Sequence, residues 1–140
     1  MRWTAISLAE PDEYEFDAAL EGVRWVHVTG ITPALSRPAF ASTLDLVKRA
    51  KRAGAQVSCD LNFRKKLWRW EPERTQKQLA RDCMGQILPF ADVVIGNEED
   101  ADDVLGIRAA ATSVESARID AAAYEGVART IVERFPHVRQ

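Results

Sequence analysis

Apolar positions along the chain follow two alternating periods. Trp25-Val26-His27-Val28-Thr29-Gly30-Ile31 is a short, β-rich run that ends at a glycine and is followed by Pro33. Behind it, Phe40, Leu44, Val47 and Ala50 recur at steps of three and four, which lines one face of a helix. Ser36 stands where an N-cap belongs, Pro38 falls in the first turn, and Gly54 supplies the stop. The unit then repeats in type. Gln56–Leu61 reads as a second strand and Asp92–Ile95 as a third, with a helical stretch from Glu73 to Leu88, interrupted by Gly85, between them. Asn97 caps a short helix that runs through Leu105 and stops at Gly106, and Ile107–Ser116 is an Ala, Thr and Ser loop. A last helix, Ile119–Phe135, sets Tyr124, Val127, Ile131 and Val132 on one side, and Pro136 closes it.

Strands that alternate with helices predict a parallel sheet joined by helical crossovers, with Trp25 and a hydrogen-bonded His27 in its core. Both ends of the series are abrupt. RWTAIS leads into a polar segment before the first strand, and a helix finishing at FPHVRQ should hand over to another strand. A parallel sheet needs cover on both faces, so the expectation is part of a larger α/β protein, with exposed apolar surface that leaves homo-oligomerisation open.

Composition narrows the function classes. The 140 residues are 46% hydrophobic and 29% charged, and a formal charge of -2 gives no electrostatic footprint for nucleic acid. No apolar run is long enough to cross a bilayer, and the residues after Met1 form no secretory signal, so the chain reads as cytoplasmic. Cys59 and Cys83 form no CxxC pair and are expected to be reduced, Cys59 as a buried strand residue. Two scattered histidines, His27 and His137, support neither a metal site nor a hydrolase triad. Neither GxGxxG nor GxxxxGK[ST] occurs, which weakens dinucleotide and Walker-type alternatives. Lys48, Arg49, Lys51 and Arg52 read as a solvated helix face.

Polar chemistry gathers where each strand ends. Thr29-Gly30-Ile31-Thr32-Pro33 follows the first, Asp60-Leu61-Asn62-Phe63-Arg64 the second, and Gly96-Asn97-Glu98-Glu99-Asp100 the third. Ligands of open parallel sheets bind beyond these carboxyl ends. Glycine permits close backbone approach, Arg64 can hold a carboxylate or phosphate bidentately, and Asn62 offers both donor and acceptor. The set describes an anionic polar ligand, with acidic residues that could organise a metal through water. A structural account stands beside it. Asp60-Leu61-Asn62 also fits a capped turn with Arg64, Lys65 and Lys66 solvated, and Asn97 fits a helix cap followed by an acidic first turn. Trp68 and Trp70 fit a shield over the arginine loop or an interface.

The combination HVTGITPALS, DLNFRKKLW and VVIGNEEDADDVLGI, in that order and with the tail YEGVARTIVERFPHVRQ, resembles the ribokinase (PfkB) family of carbohydrate kinases, most nearly 2-keto-3-deoxygluconate kinases. The resemblance implies a ribokinase-like, Rossmann-like parallel sheet with flanking helices, incomplete, in which residues 1–140 are the central part of one sugar-kinase domain. It also implies a sugar-acid substrate, ATP and Mg2+, beside the expectation of no nucleic acid or membrane partner that charge and hydropathy already give. By position, Arg64 would bind the substrate carboxylate, Gly30 and Ile31 would line the sugar pocket, and Asn62 and Asp60 would shape its floor. Arg2 would correspond to a lid-side arginine. The family's N-x-x-E motif, which supports magnesium and phosphates through water, falls on Asn97, Glu98 and Asp100, where Asp100 is one methylene shorter than the usual glutamate and Glu98 or Glu99 could compensate. The G-A-G-D type motif that carries the family's catalytic aspartate does not occur. The expectation is therefore a part of an ATP-dependent kinase making 2-keto-3-deoxygluconate 6-phosphate, inactive by itself. The alternative is a catalytically empty sugar-acid-binding or interaction module of the same fold.

Overall fold

The structure is a computed structural model that describes residues 4–108 and 121–140, the last segment from residue 124 onward with its side chains. Two short helices, α1 (Ala5–Leu8) and α2 (Phe16–Ala19), precede β1 (Trp25–Thr29). The chain then forms α3 (Ile31–Leu35), α4 (Arg37–Arg52), β2 (Gln56–Asp60), α5 (Gln76–Ile87) and β3 (Val93–Ile95). A single turn, α6 (Glu98–Asp100), continues into a π-helical segment over Ala101–Leu105, and α7 (Ala121–Arg134) follows. The strands lie in the order β1-β2-β3, both pairs parallel, with Val28 opposite Cys59 and Cys59 opposite Val94. A parallel three-stranded sheet with flanking helices is the expected fold class, and the sheet is open.

Local chemistry explains the boundaries. Ser36 Oγ accepts from the Ala39 N–H at 3.1 Å, satisfying a donor that the first turn of α4 leaves free, and Pro38 has no N–H to satisfy. Thr75 and Gln78 form a reciprocal capping box, so α5 starts after Thr75 and not at Glu73. Gly85 does not interrupt that helix, because a glycine in an otherwise regular helix weakens it without breaking it. The first strand stops at Thr29, and Ile31, quoted with the β-rich run that ends at Gly30, opens α3. The Ile31 N–H turns onto Thr29 Oγ1 at 3.1 Å, away from any ladder partner.

Burial is one-sided. Val28, Val57 and Cys59 share one core with Val47 and Ala50 of α4, Leu79 and Met84 of α5, and Val127 of α7. The alternate strand positions point the other way, and there Trp25 and Ile95 are 52% and 48% exposed. The expectation that Trp25 and His27 are core residues is therefore wrong: they occupy the uncovered face, where the Trp25 indole N–H meets Ser58 Oγ at 2.9 Å and His27 Nδ1 lies 2.9 Å from the same hydroxyl. His27 is hydrogen-bonded as expected, though exposed. Beyond β3 the sheet carries a further strip of ladder. Arg139 donates to the Asp92 carbonyl at 2.8 Å and Val94 donates to the Gln140 carbonyl at 2.9 Å, so the residues after FPH run alongside β3 in its own direction.

The basic face of α4 is only partly solvated. Arg49 pairs with Asp45 and Asp17, each at 2.7 Å, and Lys51 Nζ lies 2.7 Å from Asp92 Oδ2, which also accepts from the Val57 N–H at 2.7 Å. One carboxylate thus ties a helix to two strands. Partial burial pushes the Asp92 carboxyl up, but the hydrogen bonds from Lys51 and Val57 outweigh it and hold its pKa below the ordinary aspartate value. Burial pushes both thiols up to about 12, so Cys59 and Cys83 are inert structural groups.

A Cβ at Gly30 would lie 2.1 Å from the Leu61 carbonyl oxygen, whereas one at Gly85 would meet nothing within 4 Å. In urea unfolding, Gly30→Ala is expected to cost about 3 kcal/mol and Gly85→Ala to add about 0.5–1 kcal/mol. Because the folded pKa of Asp92 is depressed, its contribution is complete above the unfolded aspartate value and is lost as the pH falls through the lower, folded one. Melting curves of the protein and of Asp92→Asn should therefore differ most at neutral pH and converge in acid.

Candidate functional site at the carboxyl ends of the strands

The three strand ends meet through backbone bonds. Gly30 donates to the Asp60 carbonyl at 2.8 Å, and Leu61 donates to the Ile95 carbonyl at 2.8 Å. Gly30, Ile31, Asp60, Asn62, Asn97, Glu98 and Asp100 consequently lie along one edge, as the spacing of the motifs predicts. Leu61 is 1% exposed and fills the space beneath that edge, and a Cβ on Gly96 would press on its side chain at 3.0 Å.

After Leu61 the chain leaves the sheet through a strained turn. Asn62 has φ +36, a left-handed backbone that asparagine tolerates better than most residues. The next residue is anchored: the Phe63 N–H donates to Asp100 Oδ1 at 2.9 Å, and the Phe63 ring is buried. Arg64, Lys65 and Lys66 are exposed and make no ion pair among the described residues. Leu67 then closes a turn onto the Arg64 carbonyl at 2.8 Å, and Trp68, with φ +55, donates its backbone N–H to the Ala34 carbonyl at 3.0 Å.

Trp68 is not a shield over this loop but the anchor beneath it, only 1% exposed. Its indole Nε1 is buried without a hydrogen-bond partner among the described residues, so the ring is held by packing alone. Trp70 completes the attachment, with its Nε1–H 3.2 Å from the Pro33 carbonyl, its ring stacked on Phe40 and the Arg37 guanidinium 5.3 Å above it. The cationic segment is thus a short projection fixed at both ends. Sequence reasoning identified its charges but not the anchors, because Phe63 and Trp68 carry no signal until α3 and α6 are in place.

The third strand end is engaged in hydrogen bonds of its own. Asn97 Oδ1 accepts from the Asp100 N–H at 2.8 Å, the N-cap that the structural account foresaw. The Glu98 carboxyl is held below its ordinary value, first by its own backbone N–H and then by the Tyr124 hydroxyl of α7. Tyr124 was expected only as part of an apolar helix face; it does line that side with Val127, Ile131 and Val132, around an apolar cavity of about 220 Å3 between β3 and α7. Arg64 does not line that cavity. Glu99 is exposed. Arg2 lies outside the described residues, as do most of the Ile107–Ser116 loop and the expected start of the last helix.

These side chains do not fit a magnesium ion held directly. Asn97 Oδ1 and Asp100 Oδ1 are both taken by backbone donors, and no group of three metal-ligating side chains occurs among the described residues. Among those residues no helix is long and apolar enough to cross a membrane.

No family model matches the chain. A 2-dehydro-3-deoxygalactonokinase of Haloferax volcanii is 34% identical to it over 112 residues, 80% of this chain. The solved 2-dehydro-3-deoxygluconokinase of Thermotoga maritima superposes on 95% of it with a TM-score of 0.77 and 34% identity. A PfkB family carbohydrate kinase of Listeria grayi covers 90% of it with a TM-score of 0.66 and 26% identity. The chain's homologues and structural neighbours are PfkB-family carbohydrate kinases. It spans 33% of the length of the Haloferax relative and 36% of the Thermotoga one, about a third of each. The strand ends that carry the PfkB-like motifs are also where the open sheet gathers its polar groups.

The turn at Asn62 separates a backbone role from a side-chain role. Asn62→Gly is expected to leave the unfolding midpoint nearly unchanged, since glycine adopts this φ freely. Asn62→Val should lower stability by about 1–3 kcal/mol in the same measurement.

Proposed function

We propose that the protein is a sugar-acid kinase that uses ATP to convert 2-keto-3-deoxygluconate to its 6-phosphate, and that these residues form its acid-binding side. The observation that carries this is Arg64, an exposed guanidinium without an ion-pair partner among the described residues, on a loop pinned at Phe63 and Trp68 beyond the carboxyl end of the middle strand. Its planar fork suits a carboxylate, because two parallel N–H donors meet the two oxygens, and a backbone anchored on either side leaves less loop freedom to be lost on binding. Asn62 and Asp60 would present polar groups to the sugar hydroxyls, and Gly30 and Ile31 would leave room for the carbon chain. Two relatives bear the names of kinases for 2-dehydro-3-deoxy sugar acids that differ as the galactonate and gluconate forms, which supports an acid substrate more firmly than it selects the epimer.

In the transfer, the acceptor hydroxyl oxygen bonds to the terminal phosphorus of ATP, the bond to the bridging oxygen breaks, ADP leaves, and the hydroxyl proton passes to a base. No G-x-G-D segment occurs in these residues, so we assign that base to an aspartate outside them and expect the 140 residues alone to bind without turnover. The same lack of the motif favours, as a second reading, a binding module that has no chemistry.

The test is a coupled ADP-release assay on the protein as its native source produces it, with 2-keto-3-deoxygluconate and its galactonate epimer. Turnover is expected, and Arg64→Ala should raise KM for the sugar acid roughly tenfold to a hundredfold while changing kcat less. Sugar-acid binding without ADP release would favour the binding module. Absence of sugar-acid binding would sink both.

A further inference from the structure

In the turn from Asn97 to Asp100, one oxygen of the half-buried Asp100 carboxylate is already engaged: its Oδ1 accepts the Phe63 N–H at 2.9 Å, while the Asp100 N–H is itself held by Asn97 Oδ1 at 2.8 Å. Phe63 lies between the left-handed Asn62 and the exposed Arg64. The backbone on which Arg64 projects is therefore attached, through one carboxylate, to the turn at the end of the neighbouring strand.

We propose that Asp100 is a positioning residue for Arg64, a strut that fixes the substrate-side loop to the Asn97 turn. Length matters in such a strut. A carboxylate on a single methylene reaches the Phe63 amide from a helical turn capped by Asn97, so the side chain sets the separation between the two loops. The bond is made to a charged acceptor and is partly buried, which makes it stronger than a neutral one. Without it, the Phe63 N–H would need another acceptor, and the Asn62 turn would be free to relax from its left-handed backbone. Arg64 would keep its charge but lose its fixed origin, so an acid ligand would have to order the loop as it binds. Phe63 packing and the Trp68 anchor would remain, which predicts a displaced loop and an intact fold.

The role of Arg64 in this proposal rests on the sugar-acid function above, whereas the strut itself does not, and the experiment separates them. Asp100→Ala and Asp100→Asn are prepared in the protein as its native source produces it, and melting curves establish that each folds. Amide hydrogen exchange at Phe63 reads the strut directly: exchange should accelerate roughly tenfold to a hundredfold in Asp100→Ala, and Asp100→Asn, which keeps an acceptor oxygen, should restore most of the protection. Calorimetric titration with 2-keto-3-deoxygluconate reads the consequence. Affinity should fall by a similar factor in Asp100→Ala and recover in Asp100→Asn, with the dependence on added Mg2+ the same in all three proteins. Unchanged Phe63 exchange in Asp100→Ala would overturn the strut. Asp100→Asn behaving like Asp100→Ala, with an altered Mg2+ dependence, would overturn it in favour of a charge that serves the metal and phosphates. If the unaltered protein binds no sugar acid, the proposed function fails, and the exchange data still decide on the strut.

Discussion

Gly30 donates to the Asp60 carbonyl at 2.8 Å, and the Leu61 carbonyl lies where any side chain on that glycine would have to be. This contact decides how the first two strands finish. With β1 ending early, the chain turns at once into α3, and α3 offers its Pro33 and Ala34 carbonyls to the segment that leaves β2. Trp68 and Trp70 attach there, and the Arg64 loop takes its place between them and Phe63. A larger residue at position 30 would push the two strand ends apart and displace the surface that carries α3, so the polar edge at the strand ends depends on a missing methyl group.

The polar residues of that edge serve the backbone before they serve any ligand. Asn97 caps a helical turn, Asp100 holds the Phe63 amide, and Thr29 receives the Ile31 amide. Loops at strand ends expose amides that no ladder satisfies, and short polar side chains are the nearest acceptors. Arg64, Lys65 and Lys66 differ because the described residues give them no anion, while the loop that carries them is constrained. An unneutralised cation on a constrained loop is the feature that separates this edge from an ordinary set of capped turns, and it is why the proposed chemistry centres on Arg64.

The uncovered face tells a complementary story about packing. All the strand side chains that join the core point toward α4, α5 and α7, while Trp25 and Ile95 stand on the other side. Trp25 is not idle there. Its indole and the His27 ring meet the Ser58 hydroxyl, which is 4% exposed, so a polar group in the middle strand is satisfied without a covering helix. Sequence cannot distinguish a tryptophan that enters the core from one that lies on a bare sheet, since both satisfy the same strand pattern; only the side of the sheet on which the helices pack distinguishes them.

Much of the architecture was legible in the chain. The alternation of strand and helix patterns, the Ser36 and Asn97 caps, and the glycines at 54 and 106 are local signals, written in residues a few positions apart and governed by backbone geometry. The candidate site was legible as three polar strand ends, because parallel strands in register must bring their carboxyl ends to one edge. What tertiary structure alone decided is which groups there remain available. Asp100 could equally have faced a metal, and Trp68 could have covered the loop, until the distance to Phe63 and to Ala34 was set by strands and helices far apart in sequence. The physical reason is the short range of a hydrogen bond: the chain dictates which donors and acceptors exist, but their pairing is resolved only when packing brings them within about 3 Å.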